Sequence, residues 1–413
     1  MKTSHIFGAA LIAAALASGP ALADDVKVGA IYPLSGNAAS AGKSELDAIN
    51  LAVELVNTVH PELAALPSVG KGGLSNLGGA KIQLISADHQ GKPEEGQSQT
   101  LRLITQEHVA AIIGAYHSNV SFTATAVSER QGVPFVVSDS VAANITSRGF
   151  KWLVRVTPVA SDFAKNYMEY LGDMKKAGHK VETVAVVNEN TDYGTSIGGT
   201  VVQQAKSHGF EVVAQIPYNA NSSDVSAQVL QLKEKNPDCV VFVSYTADAI
   251  LYMKTMKNLN YQPPMIIGDD AGFADPAFVP AVGDIAQGVM NRSAWAVGKP
   301  GSVTAVINDL FKAKTGRELD DTSARGLQAM LMLADAINRA GSTAPDKIMA
   351  ALKATDLKQD QVMMGYRGVK FDDIGENSLA ATYLVQLQGK EYVAVWPTEK
   401  ALAPVQWPMK GWK

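Results

Sequence analysis

The sequence predicts an α/β protein built as two doubly wound parallel-sheet lobes, and three observations carry that reading. Short apolar runs alternate with amphipathic segments along most of the 413 residues. The runs are almost continuously apolar, as parallel strands covered on both faces are, and lack the strict alternation of a half-exposed sheet. Six or more of them precede residue 270. That is more than one modest sheet needs, so two lobes with helices on both sheet faces are the economical arrangement.

The elements follow in order. Val26 to Tyr32 is a β-branched run and the first expected strand. Pro33 to Ser44 is a turn of small and polar residues. Ala48, Leu51, Ala52, Leu55, Val56 and Val59 then recur at helical spacing and mark one face of a helix. Asn57 to Gly79 is a long link, Gly-rich toward its end, expected to be a surface excursion. Further strands are expected at Lys81–Ile85, Ala110–Ile113, Pro134–Val137, Val184–Val187, Cys239–Val243 and Met265–Ile267. Helices are expected at Glu94–Glu107, Val120–Gln131, Asp162–Ala177, Thr195–His208, Asp224–Lys235 and Asp248–Asn258. Leu327, Met330, Leu331, Ala334 and Ile337 mark one more long helix, and Tyr383–Leu387 with Tyr392–Trp396 reads as a terminal hairpin. The first break between lobes falls near Arg155-Val156-Thr157-Pro158.

The N-terminus sets the compartment. Lys2 precedes an apolar run from Ile6 to Ala17, and Pro20-Ala21-Leu22-Ala23 supplies the small residues a signal peptidase requires. The run is shorter than the ~20 residues that span a bilayer. An exported chain cut after Ala23 is expected, with no cysteine after the cut for a lipid anchor. The sole cysteine, Cys239, sits in an apolar run and is expected to be inert core. The formal net charge is −4, and losing Lys2 makes the exported chain more negative. That argues against nucleic acid, which demands a basic surface.

A helix following the Pro33–Ser44 turn would offer unpaired N–H groups to an anion, either a nucleotide phosphate or a ligand carboxylate; the turn could also hold no ligand. Gly42-Lys43-Ser44 ends like a phosphate loop, but Asn37 stands where that loop needs glycine. The nucleotide reading is therefore disfavoured, and an exported protein meets little nucleotide. Open α/β sheets bind ligands at the carboxyl ends of their strands. Those ends carry Ser35, Tyr116-His117-Ser118-Asn119, Ser138-Asp139-Ser140, Asn188 to Tyr193, Ser244-Tyr245-Thr246 and Asp269-Asp270. This polar set suits a small hydrophilic molecule. Singly, each has a plainer role: Ser118 and Asp248 as helix caps, Tyr193 and Tyr245 as core residues. Asp88-His89 with His117 hints at a metal, yet acids at strand ends more often hydrogen-bond loops. No hydrolase or metal-binding motif occurs, so neither an enzyme nor a cofactor or metal is expected.

At this point the chain resembles a family, the periplasmic leucine/isoleucine/valine-binding proteins. These are the type I solute-binding subunits of branched-chain amino-acid ABC transporters. The likeness runs through Val28 to Gly42 with its Pro33-Leu34-Ser35-Gly36 turn, Ile112-Ile113-Gly114, Gly132-Val133-Pro134 and Arg155 to Pro158. It continues through Asp192-Tyr193-Gly194, Asn236-Pro237-Asp238 and Gly283 to Val289. Each motif is weak alone; their order and spacing are specific. The resemblance implies a Venus-flytrap clamp with a three-crossover hinge. Lobe one would be residues 24–157 with 294–362, and lobe two 158–293 with 363–413. It implies a monomer that binds an amino acid or an analogue such as an amide and passes it to membrane permease subunits. A sensor built on the same clamp is the alternative, and an exported enzyme a remote one.

The family's carboxylate-binding places fall on Ser118 and on the backbone of Asp139, Ser140 and Val141. Its second-lobe tyrosines and ammonium-binding acid fall on Tyr193, Tyr245 and Asp270, with Ala41 and His117 as pocket wall. A carboxylate gripped by amides and a hydroxyl, and an ammonium gripped by an acid, is sound chemistry. Three departures stand out. Val141 replaces a threonine, Asp139 adds a charge beside the carboxylate place, and Ala41 replaces an aromatic.

Overall fold

The structure, a computed structural model, describes residues 24–410 and Trp412; the expected leader and its cleavage after Ala23 lie outside the described residues. Two lobes each carry a largely parallel sheet. The first sheet holds β1 (Val26–Tyr32), β2 (Ile82–Asp88), β3 (Ala111–Gly114), β4 (Phe135–Val137) and β5 (Leu153–Arg155), in the order β2-β1-β3-β4-β5. Every pairing in it is parallel. Helices α1 (Ala39–Asn57), α2 (Pro93–Thr105) and α3 (Ser118–Gln131) connect its strands.

After α4 (Ala160–Lys176) come β6 (Thr183–Glu189), α5 (Asp192–Ser207), β7 (Glu211–Tyr218), α6 (Ser226–Lys235), β8 (Cys239–Val243), α7 (Thr246–Asn258) and β9 (Ile266–Gly268). Short α8 (Ala271–Ala274) and α9 (Phe278–Val282) lead to β10 (Met290–Ser293). The chain then returns as α10 (Val303–Thr315), α11 (Asp321–Ala340) and α12 (Pro345–Lys353), with α11 packed along α1. A small antiparallel pair, β11 (Asp356–Lys358) and β12 (Gly368–Lys370), precedes β13 (Tyr383–Gln388) and β14 (Glu391–Trp396). The hairpin of β13 and β14 joins antiparallel to β10 and completes the second sheet, β14-β13-β10-β9-β8-β6-β7.

The core strands are those whose runs were continuously apolar: β3, β4 and β8 are buried at every residue. Cys239 is buried, as core packing requires, and burial pushes its thiol well up. Three expectations change. The turn after β1 is shorter than expected, because α1 begins at Ala39 and takes in Gly42-Lys43-Ser44. A Cβ on Gly42 would lie 2.2 Å from the Pro33 carbonyl oxygen, so this glycine serves close packing of helix on turn. The same helix ends at Asn57, which leaves Val59 71% exposed and off its apolar face.

The link after α1 is no loose excursion. Leu63, Leu66, Val69 and Leu74 are buried, Ser68 donates to Asp335 at 3.2 Å, and Asn338 accepts from the Asn76 N–H at 2.9 Å. The link therefore lids α11. Lastly, β5, β7 and β10 emerge where no strand was expected. β7 is an edge strand whose exposure partly alternates, and β10 is Met-Asn-Arg-Ser, buried despite its polarity.

Candidate functional site

The carboxyl ends of β3 and β4 face those of β6, β8 and β9 across the space between the lobes. Ser118, Asp139, Ser140, Val141, Tyr193, Tyr245 and Asp270 all line one cavity there, joined by Tyr116, Ala271, Arg292 and Arg325. The cavity holds only about 20 Å³, space for roughly one water. The lobes touch above it: Asn37 Nδ2 donates to Asn221 Oδ1 at 2.7 Å, and the Ala143 N–H to Ser196 Oγ at 3.3 Å. An amino-acid-sized molecule enters only if the lobes part.

Each side chain arrives by a local rule. Ser118 is the first residue of α3, with His117 at the cap position, so its hydroxyl is not the cap. Among the described residues its one hydrogen bond is a 3.4 Å approach from the Ala142 N–H. Asp248 likewise lies inside α7 and accepts from the Asn221 N–H at 3.0 Å, so the capping alternative fails for both. Tyr116 and Asp270 hold positive φ, 72° and 46°. Such φ in non-glycine residues costs of order 1 kcal/mol or more and concentrates at functional sites.

Hydrogen bonding sorts the seven residues. The Ser140 hydroxyl is committed, donating to the Tyr116 carbonyl at 3.0 Å and sharing a 2.6 Å bond with Ser121; it ties the ends of β3 and β4 together. The Tyr193 hydroxyl is committed too, to the backbone carbonyl and carboxylate of Asp269. Val141 lines the cavity with an apolar side chain, so any hydrogen bond it gives a ligand comes from its backbone. By contrast, among the described residues the Tyr116 and Tyr245 hydroxyls, Asp139 Oδ2 and Asp270 Oδ1 are buried without a hydrogen-bond partner, while Asp139 Oδ1 and Arg325 Nε meet only as an ion pair at 3.3 Å, outside hydrogen-bond geometry. Buried polar atoms left in that state cost about 1–3 kcal/mol each unless a ligand meets them.

Two arginines, unforeseen from the sequence, change the electrostatics. Arg325, from α11 of the first lobe, pairs with Asp270 of the second; its Nε also lies 3.3 Å from Asp139 and 3.3 Å from Asp321. Arg292, at the end of β10, lies 3.3 Å from Asp270 and 3.4 Å from Asp269, its guanidinium 3.5 Å above the Phe163 ring. Burial alone would depress both guanidiniums, but the surrounding carboxylates outweigh it and hold them above their ordinary value. Four carboxylates thus face two guanidiniums. Asp270 itself is already paired with both. The strand-end rule would have found Arg292 had β10 read as a strand. Arg325 shows in sequence only as a cation among the apolar positions of α11.

Behind the cavity, Glu45 is fully buried, and burial followed by the adjacent Asp139 raises its carboxyl well above the ordinary 4.5. His117 and Tyr245 border a second space of about 210 Å³ nearer the mouth, otherwise lined by glycines, small residues and the amides of Asn37, Gln90, Asn119 and Asn221. Burial, with His89 beside it, keeps His117 neutral, and burial pulls His89 down to about 4. His89 bonds the Ala115 carbonyl at 2.8 Å, and among the described residues no metal-holding group of His, Cys, Asp and Glu is present. Ala41, the other expected wall residue, is buried in the first lobe's core and lines neither space.

Comparisons with known proteins fit this geometry. A family described as periplasmic binding protein matches residues 25–391. The Leu/Ile/Val-binding protein homolog 8 of Brucella abortus is 31% identical over 420 residues, covering 98% of this chain and 99% of its own. Among solved structures, the branched-chain amino acid transporter substrate-binding protein LivJ from Streptococcus pneumoniae, in complex with isoleucine, superposes with a TM-score of 0.76 at 23% identity. It covers 93% of this chain and 100% of its own. A solute-binding protein of an ABC transporter from Rhodopseudomonas palustris, in complex with 3,4-dihydroxybenzoic acid, reaches 0.74 at 19% identity, covering 94% and 98%. At such identities the two structures speak for the fold alone.

Proposed function

The chain belongs to the periplasmic binding protein family, and from that membership we propose that it is the solute-binding component of an amino-acid ABC transport system. The family is extracytoplasmic and solute-binding, and among the described residues no helix is long and apolar enough to cross a membrane. In this reading the chain works in the periplasm as a monomer, closes on one small polar ligand between its lobes, hands it to permease subunits and turns nothing over. Residues 24–157 with 294–362 would form one lobe and 158–293 with 363–413 the other. Asn377, whose N–H donates to the Arg155 carbonyl at 3.0 Å, fastens the segment before β13 to the edge of the first sheet.

One observation carries the reading. Partnerless buried polar atoms from both lobes converge on a single interlobe cavity. The relatives' names point to leucine, isoleucine and valine, but the lining supports a more polar ligand. A branched alkyl chain set against Asp139, Asp270, Arg292 and Arg325 would desolvate charges and return no hydrogen bond. Asp139 Oδ2 and Asp270 Oδ1, which accept no hydrogen bond among the described residues, favour a ligand that brings a positive charge or several donors, such as a polar amino acid or an amide. A thermal-shift screen of the mature chain against amino acids, amides and small carboxylates tests this. A true ligand at 100 times its Kd adds about 2.7 kcal/mol. Stabilisation by leucine, isoleucine and valine alone would overturn the polar-ligand reading; no stabilisation by any member of the screen would overturn the function.

A further inference from the structure

The space between the lobes has two parts of opposite character. The inner cavity at the strand ends holds about 20 Å³ and carries the charged side chains of Asp139, Asp270, Arg292 and Arg325. The chamber nearer the mouth holds about 210 Å³, and among the described residues no acid, lysine or arginine lines it. Gly91, His117 and Asn119 wall it from one lobe, Thr191, Asn221 and Tyr245 from the other. Tyr245 borders both parts, so the two are neighbours.

His117 gives the outer chamber its chemistry. Its side chain is 9% exposed, its Nδ1 is buried without a hydrogen-bond partner, and among the described residues Nε2 has none either. The Nε2–Cε1 edge of the ring faces the Gly91 wall: a Cβ on that glycine would lie 3.4 Å from Nε2 and 3.5 Å from Cε1. Burial, with His89 beside it, keeps the ring neutral, so one nitrogen donates and the other accepts. Asn119, half-buried beside it, adds a donor. Its Oδ1 accepts from the Val120 N–H at 2.9 Å, while Nδ2 has no partner among the described residues.

Three kinds of ligand side chain can be weighed against this lining. A charged one would be enclosed with no opposite charge beside it. An alkyl one would leave the imidazole and the Asn119 amide unmet when the mouth closes. A carboxamide carries no charge, donates and accepts at once, and uses far more of the room than a lone hydroxyl would. We propose that the outer chamber is the specificity subsite and takes a carboxamide, bonded by His117 and Asn119, so that the ligand is an amino acid with an amide-ended side chain. The inference rests on the solute-binding reading above and narrows its polar ligand to one class.

Isothermal titration of the mature chain with L-glutamine, L-glutamate, L-methionine and L-alanine tests it. The first three are close in length and differ in the end of the side chain; alanine offers the headgroup alone. Glutamine is expected to bind at least about tenfold tighter than each of the others. His117→Phe keeps a ring and removes both nitrogens. It should cut the ratio of glutamine to methionine affinities about tenfold, a ratio that a general loss of fold stability does not move. Asn119→Ala, at a half-buried position, should cut the same ratio about threefold. Glutamate, methionine or alanine binding as tightly as glutamine would overturn the subsite and leave the solute-binding reading standing. So would a ratio unchanged in both variants. No binding by any of the four would overturn the subsite together with the amino-acid reading on which it rests.

Discussion

Ser118 is the residue whose chemistry is least committed within the protein, and it separates binding from folding. Its hydroxyl has one long contact, so Ser118→Ala should leave the melting temperature within a degree or two of the parent. Losing a hydrogen bond to a charged ligand group costs about 1.5–3 kcal/mol, roughly ten- to a hundredfold in Kd, read by titration with the ligand that the screen finds. Asp270 behaves differently. It is bound by two buried arginines, and removing one partner of such a network strands the others. Asp270→Asn should therefore destabilise the fold by about 3 kcal/mol in urea unfolding, whatever it does to affinity. A stable Asp270→Asn protein would mean that the arginines find other partners.

Glu45 gives a pH signature. Its folded carboxyl titrates well above 4.5 because of burial and Asp139, whereas the unfolded chain ionises it near 4.5. Between those values the folded state holds the extra proton, so this contribution is complete below 4.5 and is lost as pH rises. Glu45→Gln carries the neutral group at every pH. The variant should gain stability relative to the parent on going from pH 5 to pH 8; a difference flat in pH would show that Glu45 has no raised titration.

At the scale of elements, the strands easiest to read were those buried on both faces, because continuous apolarity is what double coverage selects. β8 is legible for that reason, while β7, exposed along one edge, and β10, made of polar residues that serve cleft and hinge, are not. Six of the seven cavity residues stood in the strand-end set, because that rule needs only the end of a strand, which sequence supplies; Val141 came only with the family resemblance. Arg325 came from neither, because it reaches the cleft from a helix distant in sequence. The start of α11 shows what such a helix does. Asp320 caps it through the Ser323 N–H, and Asp321 Oδ1 accepts from the N–H groups of Ala294 and Trp295 at 2.5 and 3.0 Å and from Ser293 Oγ at 3.0 Å. One carboxylate thus fixes the crossing that follows β10. Asp321→Ala would leave the buried Ala294 N–H unmet and strip Arg325 of one carboxylate, while the Trp295 N–H and the Ser293 hydroxyl keep Ser293 Oγ and the Trp295 carbonyl as acceptors; it should cost about 3 kcal/mol in unfolding, with Asp321→Asn recovering part of it through its remaining oxygen.

For the whole molecule, the question is what holds two lobes together around so little space. The cleft's ion pairs cross between lobes through Arg325 and Asp270, and at the mouth the exposed Asn37–Asn221 bond crosses again. The measured affinity of a clamp depends on how much of the population can adopt the closed form, so a contact that touches no ligand still changes Kd. Asn37→Ala removes one neutral hydrogen bond worth about 0.5–1.5 kcal/mol to closure and nothing within either lobe. It should weaken ligand binding about two- to tenfold, mainly through faster dissociation in stopped-flow traces, at an unchanged melting temperature. Asn221→Gly, which suits that residue's φ of 62°, should do the same, and the double variant should add little, since both act on one bond. If the two losses add in full, the residues act separately and the mouth is not latched by this pair.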